Sequence, residues 1–318
     1  MKYAKSCAIT LIVALLLCPW GRAGAEGGFI KWVDFNATAE VMNRCYELDV
    51  KSVKEKVHYN FVDLLAYLAM KNGNKFSYKR DLKNLNALIE KLDGGITMAE
   101  ICGGNKYYKY YHEAYSSIFA EYIGFYRIEE TGEMGYGLKA YFPLARGFWY
   151  SGSDDFGNSR TYGFKRVHLG HDMFGAIGTP VIAVEGGIVT ELGWNRFGGW
   201  RIGIRSLDGL RYYYYAHLRK DKPYAEGLEK GKRVEGGQVI GYLGVTGYSF
   251  KENRNMKTRP HLHFGLQLIF DPSQEDGPGE IWINVYQLVR FLSKNKAAVK
   301  KDDNGGYFSC NLKKGINL

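Results

Sequence analysis

The fold is decided by residues 181–192, which read VIAVEGGIVTEL. Two short apolar runs, rich in β-branched residues, flank the pair Gly186-Gly187, and this pattern is typical of two strands around a turn. Similar runs recur at 200–205, 211–218, 239–245 and 262–269, with a second turn signal at Asp208-Gly209. We therefore predict a mainly antiparallel β domain over residues 148–270.

The residues before this domain have helical periodicity instead. Three apolar stripes recur at i, i+3, i+4 and i+7 spacing, at 61–68, 82–92 and 108–122. The third stripe consists mainly of tyrosines, and we interpret it as a packing face rather than a carbohydrate or peptide docking surface. A further helix is predicted from Ile281, Val285, Leu288 and Leu292. The predicted fold class is α+β, with a helical domain at 26–130, a glycine-containing linker at 131–147, and a C-terminal loop, helix and tail at 271–318.

Composition and charge limit the classes of partner. The chain has 318 residues, 46% of them hydrophobic, which excludes a disordered protein. Its formal net charge of +10 favours anionic partners, among them nucleic acid, an anionic membrane and an acidic cell-wall polymer. Charge alone does not distinguish these partners, and nothing in the sequence indicates an oligomeric state.

The N-terminus indicates the compartment. Lys2 and Lys5 precede an apolar run at 8–17, and Ala23-Gly24-Ala25 follows it, which is the pattern of a secretory signal peptide at 1–25. The run is shorter than the ~20 residues of a spanning helix, so no stable membrane span is expected. Bulky Leu17 argues against a lipoprotein signal ending at Cys18. Export leaves the chain little access to nucleic acid, and we predict no nucleic-acid partner.

Three cysteines remain after cleavage of the predicted signal peptide: Cys45, Cys102 and Cys310. An odd number cannot pair completely within one chain. A disulfide between Cys45 and Cys102 is an open alternative, and no cysteine spacing suggests a metal site.

The first candidate metal-binding segment reads HLGHD at residues 168–172. In an extended backbone, side chains alternate between faces, so His168 and Asp172 share one side while His171 points away. This alternation favours His168 with Asp172 over His171 as metal ligands.

Two further segments add imidazoles. In the predicted strand around His261-Leu262-His263, both histidines lie on one face. The third segment ends at His217, which alternation places on one face with Tyr213 and Tyr215. Neutral imidazole and carboxylate are normal zinc ligands, and a catalytic zinc site uses three protein ligands. The three segments supply such a set, and two histidines are left over besides His171, which points away.

These segments resemble the lysostaphin/LytM-type zinc metallopeptidases. The resemblance rests on five motifs in the family's order, within residues 148–270: His168-x-Gly170-x-Asp172, Gly178-Thr179-Pro180-Val181, Tyr215-Ala216-His217-Leu218, Gly244-x-Thr246-Gly247-x-Ser249 and His261-x-His263. Asp155-Phe156-Gly157, Arg160 and Gly163 also fit the segment that leads into this domain. The resemblance does not extend to the helical half of the chain.

The resemblance implies the duplicated hybrid motif fold and assigns roles to five residues. It implies that His168, Asp172 and His263 are Zn²⁺ ligands, and that His217 and His261 are catalytic residues beside the metal. At each of the three ligand positions, this sequence has the residue type that the family's motif requires. The stretch 248–260, however, is longer than the family's usual link and carries four basic residues, so we expect it to form a rim of the cleft.

The expected function is that of an exported zinc metalloendopeptidase, secreted or located in the cell wall or periplasm. It would hydrolyse peptide bonds in the peptidoglycan stem or cross-bridge, with peptidoglycan peptides as its partners. Since the sequence has no H-E-x-x-H motif, an imidazole is the expected general base. The alternative is a catalytically inactive cell-wall-binding scaffold or an interaction protein of an envelope complex. The role of the helical half, in targeting or in inhibition, stays open.

Overall fold

The computed structural model describes residues 29–161, 165–275 and 279–316. The predicted signal peptide at 1–25 lies outside these residues. Within the described ranges, no helix is long and apolar enough to cross a membrane.

The N-terminal half is helical, as predicted from its periodicity. Its helix α2 begins after Asn60, whose side chain accepts hydrogen bonds from the backbone N–H groups of Val62 and Asp63, and it ends at Gly73 in the left-handed conformation, φ +60°. The helices are α1 (Ala39–Ser52), α2 (Phe61–Asn72), α3 (Tyr78–Asp93), α4 (Met98–Cys102), α5 (Lys106–Phe119) and α6 (Tyr286–Leu292), with a 3₁₀ turn at Pro272–Gln274.

The second half is rich in strands. The strands of the chain are β1 (Ile123–Ile128), β2 (Met134–Leu138), β3 (Ser159–Thr161), β4 (Lys165–Val167), β5 (His171–Phe174), β6 (Pro180–Ile182), β7 (Gly187–Asn195), β8 (Gly199–Ser206), β9 (Arg211–Ala216), β10 (Arg233–Val234), β11 (Val239–Tyr242), β12 (His261–Leu268), β13 (Ile281–Trp282), β14 (Ala298–Lys301), β15 (Tyr307–Cys310) and β16 (Lys313–Gly315). The α+β fold class is therefore confirmed.

The largest sheet carries the candidate site. Its strand order is β10-β7-β8-β9-β12-β13, with β5 also paired to β12, and all these pairs are antiparallel. The turn at Asp208-Gly209 joins β8 and β9, as predicted. By contrast, β6 and β7, on either side of Gly186-Gly187, belong to different sheets, because β6 pairs with β11 instead.

Alternation along β9 and β12 gives this sheet one core face and one open face. Tyr213, Tyr215, Leu262 and Phe264 are fully buried in the core. The intervening side chains point to the opposite side. That side forms the floor of an open cleft of about 590 Å³.

The segment 131–147, predicted as a linker, is structured. It contains β2, which pairs with β1, and the other edge of β1 pairs with β16 near the C-terminus. Phe142 and Leu144 are buried in the core. The pairing of β1 with β16 joins residues almost 190 positions apart in sequence, which local periodicity does not reveal. The division of the chain into separately folding units remains a prediction.

One expectation needs correction, and one open alternative is resolved. The predicted C-terminal helix is shorter than its apolar stripe, because Ile281 lies in β13 and only 286–292 are helical. Cys45, Cys102 and Cys310 are free, buried thiols, so the disulfide considered between Cys45 and Cys102 is not formed. Burial raises the pKa of the Cys45 thiol, which keeps it protonated and unreactive.

A buried ionic network joins the two halves. The guanidinium of Arg211, fully buried in β9, donates two hydrogen bonds of 2.8 Å to the carboxylate of Glu185. It donates a third, of 2.6 Å, to the carbonyl oxygen of Ser117 in α5. Beside it, the hydroxyl groups of Tyr122 and Tyr213 lie 3.0 Å apart. The helices therefore pack against the core face of the sheet, opposite the cleft.

We expect Arg211→Ala to lower the free energy of unfolding by about 3–5 kcal/mol, because Glu185 would remain buried without its charge partner. Urea denaturation measures this loss. The matched control is Arg290→Ala, which removes a half-exposed pair with Glu40 and is expected to cost about 0–1 kcal/mol. Equal effects of the two substitutions would contradict the structural role of the network.

Candidate metal centre

The antiparallel register of β5 and β12 builds the centre of the site. His263 lies directly opposite Asp172, and His168 lies in the turn that connects β4 to β5. The Nε2 atom of His168, Oδ1 of Asp172 and Nδ1 of His263 are 3.0 Å from one another. Among the described residues these three form a group that could hold a metal ion.

The neighbours of His168 orient its ring. Its Nδ1 atom is 3.2 Å from Oδ1 of Asp155 and 3.3 Å from the carbonyl oxygen of the same residue. Arg160 in turn pairs with Asp155 and lies 3.5 Å from Oδ2 of Asp172. Because Nδ1 of His168 faces Asp155, its Nε2 is directed to the centre of the group, where a metal ion would take the Nε2 lone pair.

Electrostatics keep two of these donors in metal-binding form. Burial by itself would raise the pKa of Asp172, but hydrogen bonds with His168 and His263 and the nearby imidazoles outweigh it and lower that pKa. For His263 the effect of burial is the opposite, because burial disfavours the charged imidazole and is the main cause of the lowered pKa of His263. A carboxylate and a neutral imidazole, the protonation states that ligate metals, are therefore favoured at neutral pH.

His217 and His261 lie beside the three donors. Their ring centroids are 4.8 Å apart, and Nε2 of His261 is 3.9 Å from Oδ1 of Asp172. Each Nδ1–H donates a 2.8 Å hydrogen bond to a backbone carbonyl, of Thr246 for His217 and of Arg259 for His261. This arrangement leaves both Nε2 atoms available to exchange protons.

The position of His217 differs from the expectation. It does not share a face with Tyr213 and Tyr215, which are in the core, but lines the cleft with Tyr214. The reason is its left-handed backbone, φ +62°, which ends the strand alternation after Ala216. Burial, followed by the charges of His261 and His263, holds the pKa of His217 well below its usual range.

His171 points away from the three donors, as strand alternation predicts. Its side chain is buried, its ring packs edge-on against Tyr286 with centroids 5.2 Å apart, and it lies against Gly152. Its Nδ1 atom has no hydrogen-bond partner in the described part of the chain. Burial lowers its pKa, so the ring is held neutral.

Several residues of the cleft are not among the site residues predicted from the sequence. Tyr212, Tyr214 and Trp282 form aromatic walls, and the ring of Tyr214 lies 5.9 Å from that of His263. Alternation along β9 would have indicated Tyr212 and Tyr214, since they alternate with the core residues Tyr213 and Tyr215.

The long stretch 248–260 contributes less to the cleft than expected. Tyr248 lines it, whereas Phe250 is 86% exposed and Arg254 is also exposed. The stretch is held by backbone hydrogen bonds between Gly247 and Arg254 and between Val245 and Met256. The stretch 248–260 therefore borders the cleft through its first residue, Tyr248.

Comparison with known proteins supports this arrangement. The family model described as Peptidase family M23 matches residues 166–274. The L-Ala--D-Glu endopeptidase of Bacillus subtilis (strain 168) is 44% identical over 125 residues, which are 39% of this chain and 37% of that protein. Lysostaphin of Staphylococcus simulans is 41% identical over 99 residues, 31% of this chain and 17% of that protein. This chain thus matches well under half the length of either relative.

A solved structure extends the likeness beyond the matched domain. The putative glycyl-glycine endopeptidase lytM from Ruminococcus gnavus ATCC 29149 superimposes with a TM-score of 0.53 and 25% identity, covering 82% of this chain and 91% of that chain. His168, Asp172, His217, His261 and His263 all lie within the family match. The chain therefore carries a peptidase family M23 domain at residues 166–274, and its resemblance to the lysostaphin/LytM type is confirmed.

Proposed function

We propose that this chain is an exported zinc metalloendopeptidase that hydrolyses peptide bonds in the stem or cross-bridge of peptidoglycan. The observation that carries the proposal is the triangle of donor atoms of His168, Asp172 and His263, with His217 and His261 beside it. Export is inferred from the signal-peptide pattern at 1–25. The relatives named for peptidoglycan cleavage, such as the DD-endopeptidase ShyC of Vibrio cholerae, favour the same substrate.

The donor set fits zinc. Two imidazole nitrogens and one carboxylate oxygen are a normal catalytic ligand set, and tetrahedral zinc with bonds of ~2.0–2.1 Å separates its ligands by roughly 3.3 Å. The observed separations of 3.0 Å are close to this value. The chemistry that zinc supplies in such a site is polarisation of a peptide carbonyl and acidification of water.

The chain's own residues would supply the proton transfers. His217 is held neutral by burial, its Nδ1–H is directed to Thr246, and its Nε2 faces the cleft as a proton acceptor. His261 has the same orientation toward Arg259. We propose that one imidazole accepts a proton from the attacking water and that the pair later protonates the leaving amine. Tyr214 and Trp282 would flank the peptide.

The experiment that tests this function follows the clearing of a suspension of purified peptidoglycan. We expect clearing by the protein as purified, no clearing after removal of metal by a chelator, and recovery on addition of one equivalent of zinc. Clearing that survives complete metal removal would contradict the proposal.

Two glycines should separate metal binding from catalysis. A Cβ atom at Gly170 would lie 2.6 Å from the imidazole of His263, and one at Gly247 would lie 3.0 Å from Nδ1 of His217 and 2.5 Å from the carbonyl oxygen of Phe197. We expect Gly170→Ala to weaken zinc binding by about 10–100-fold, the range for disturbed ligand orientation. Gly247→Ala should keep its zinc but lose at least about 10-fold in hydrolysis.

Competition with a chromogenic chelator measures the zinc affinity of both variants. The control is Gly279→Ala, where the nearest atom to the new Cβ would be 3.8 Å away, and it should match the wild type. If Gly170→Ala and the control bind zinc with equal affinity, the orientation of the His263 imidazole as a zinc ligand does not depend on its close contact with Gly170.

A further inference from the structure

Among the described residues, all the arginines of the cleft but one have a carboxylate partner. Four arginine side chains line the cleft, and three form ion pairs with carboxylates of the chain. The pairs are Arg160 with Asp155, Arg201 with Glu191, and Arg205 with Glu275. Within the described ranges, Arg166 forms no ion pair with a carboxylate. Its positive charge is therefore available to a ligand in the cleft.

Arg166 is nevertheless held in a defined place. It extends from β4, and its guanidinium carbon lies 4.4 Å from the ring centroid of Tyr248 and 5.5 Å from that of Phe197. Such cation–π contacts fix a guanidinium through its flat face. The N–H donors at its edge remain usable for hydrogen bonds.

This position is next to the proposed chemistry. The ring of Tyr248 stacks on that of His217, with centroids 5.8 Å apart and planes inclined by 30°. The guanidinium of Arg166 is thus separated from His217 by one aromatic ring. A group bound by Arg166 would belong to a residue near the peptide bond being cleaved.

The ligand that suits this site is a carboxylate. A guanidinium binds a carboxylate through two parallel hydrogen bonds, which are both strong and directional. Peptidoglycan stem peptides contain acidic residues with free carboxylates, whereas the interior of a glycyl cross-bridge carries no charge. Arg166, which has no carboxylate partner in the described part of the chain, therefore distinguishes between the two substrate classes that the proposed function leaves open.

We propose that Arg166 is a specificity-determining residue that binds a free carboxylate of the substrate beside the scissile amide. The cleft accordingly prefers carboxylate-bearing stem peptides to uncharged glycyl bridges. This inference rests on the proposed function and narrows it to one class of peptidoglycan peptide.

The test compares one substrate in two charge states. Soluble cross-linked muropeptides are assayed before and after their carboxylates are converted to carboxamides with carbodiimide and ammonia. We expect kcat/KM of the wild type to fall by about 10–100-fold on amidation, the contribution of a charge-assisted pair. In Arg166→Gln, kcat/KM for the carboxylate form should fall by about 10–100-fold more than kcat/KM for the amidated form, so that the preference for the carboxylate is lost. Arg166→Lys should retain part of the preference.

The matched control is Arg254→Gln, which removes one positive charge from an exposed residue outside the cleft and should keep the full preference. Equal wild-type rates on the two substrate forms would overturn the inference while leaving peptidase activity intact. An equal loss of kcat/KM on both substrate forms in Arg166→Gln would also overturn the inference. Such a result is expected if Arg166 only holds the side chain of Tyr248 in place, because that role does not depend on the charge of the substrate. If the zinc-loaded wild type cleaves neither the carboxylate form nor the amidated form, the proposed function is overturned as well.

Discussion

The His263→Ala protein is expected to lose its zinc and its peptidase activity together. Nδ1 of His263 is one of three donor atoms 3.0 Å apart, and the remaining pair, His168 and Asp172, cannot complete a three-ligand catalytic site. The loss should exceed the roughly 10–100-fold that removal of an outer-shell partner costs. Elemental analysis of the purified variant and hydrolysis of peptidoglycan by the same preparation measure the two effects.

The control for this experiment is His171→Ala. His171 lies against Tyr286 and Gly152, on the far side of β5 from the donors, so its removal should leave one zinc per chain. Thermal melts of both variants separate metal loss from unfolding. Stoichiometric zinc in His263→Ala would overturn the ligand set. Loss of zinc in His171→Ala, with zinc retained in His168→Ala, would show that the wrong histidine of the first segment has been chosen.

His217→Ala and His261→Ala should behave differently, keeping their zinc while losing at least about 100-fold in hydrolysis. Neither imidazole belongs to the donor triangle, and each is oriented by a 2.8 Å hydrogen bond to a backbone carbonyl. Positioned acid–base groups typically contribute ~10²–10⁴-fold. Zinc content, melting temperature and hydrolysis rate are measured on the same preparations.

Backbone strain at His217 requires a second variant. Its φ of +62° is unfavourable for alanine but tolerated by asparagine, so His217→Asn removes the imidazole with less strain. We expect His217→Asn to melt near the wild-type temperature and to be as inactive as His217→Ala. Near-wild-type hydrolysis by His217→Asn and His261→Ala, with full zinc, would remove both residues from the mechanism.

The candidate site was largely predictable because its geometry follows from local alternation. The i, i+2 spacing of His261 and His263 on a strand placed both side chains on the cleft face, and alternation within β5 placed Asp172 on that face and His171 on the other. His168 lies in the turn before β5, so its contact with Asp172 does not follow from strand alternation. His217 was placed on the wrong face because a single left-handed residue ended the alternation, and the residue types there do not signal it.

Long-range contacts explain what the sequence did not reveal about the fold. The pairing of β1 with β16 and the contact of Arg211 with Ser117 join residues far apart in sequence. Similarly, Arg166, Phe197 and Tyr248 come from three separate segments and meet at one side of the cleft. Periodicity reports which face of an element is buried, but it does not report which elements meet.

The most direct test of the central claim is chemical identification of the ends produced from purified peptidoglycan. The zinc-loaded protein should release fragments with one new free amino group and one new carboxyl group per cut, located by mass spectrometry within the peptide part, and His263→Ala should release none. New reducing sugar ends without new amino groups, or identical peptide cuts by His263→Ala, would contradict the assignment of this chain as a zinc endopeptidase of the cell wall.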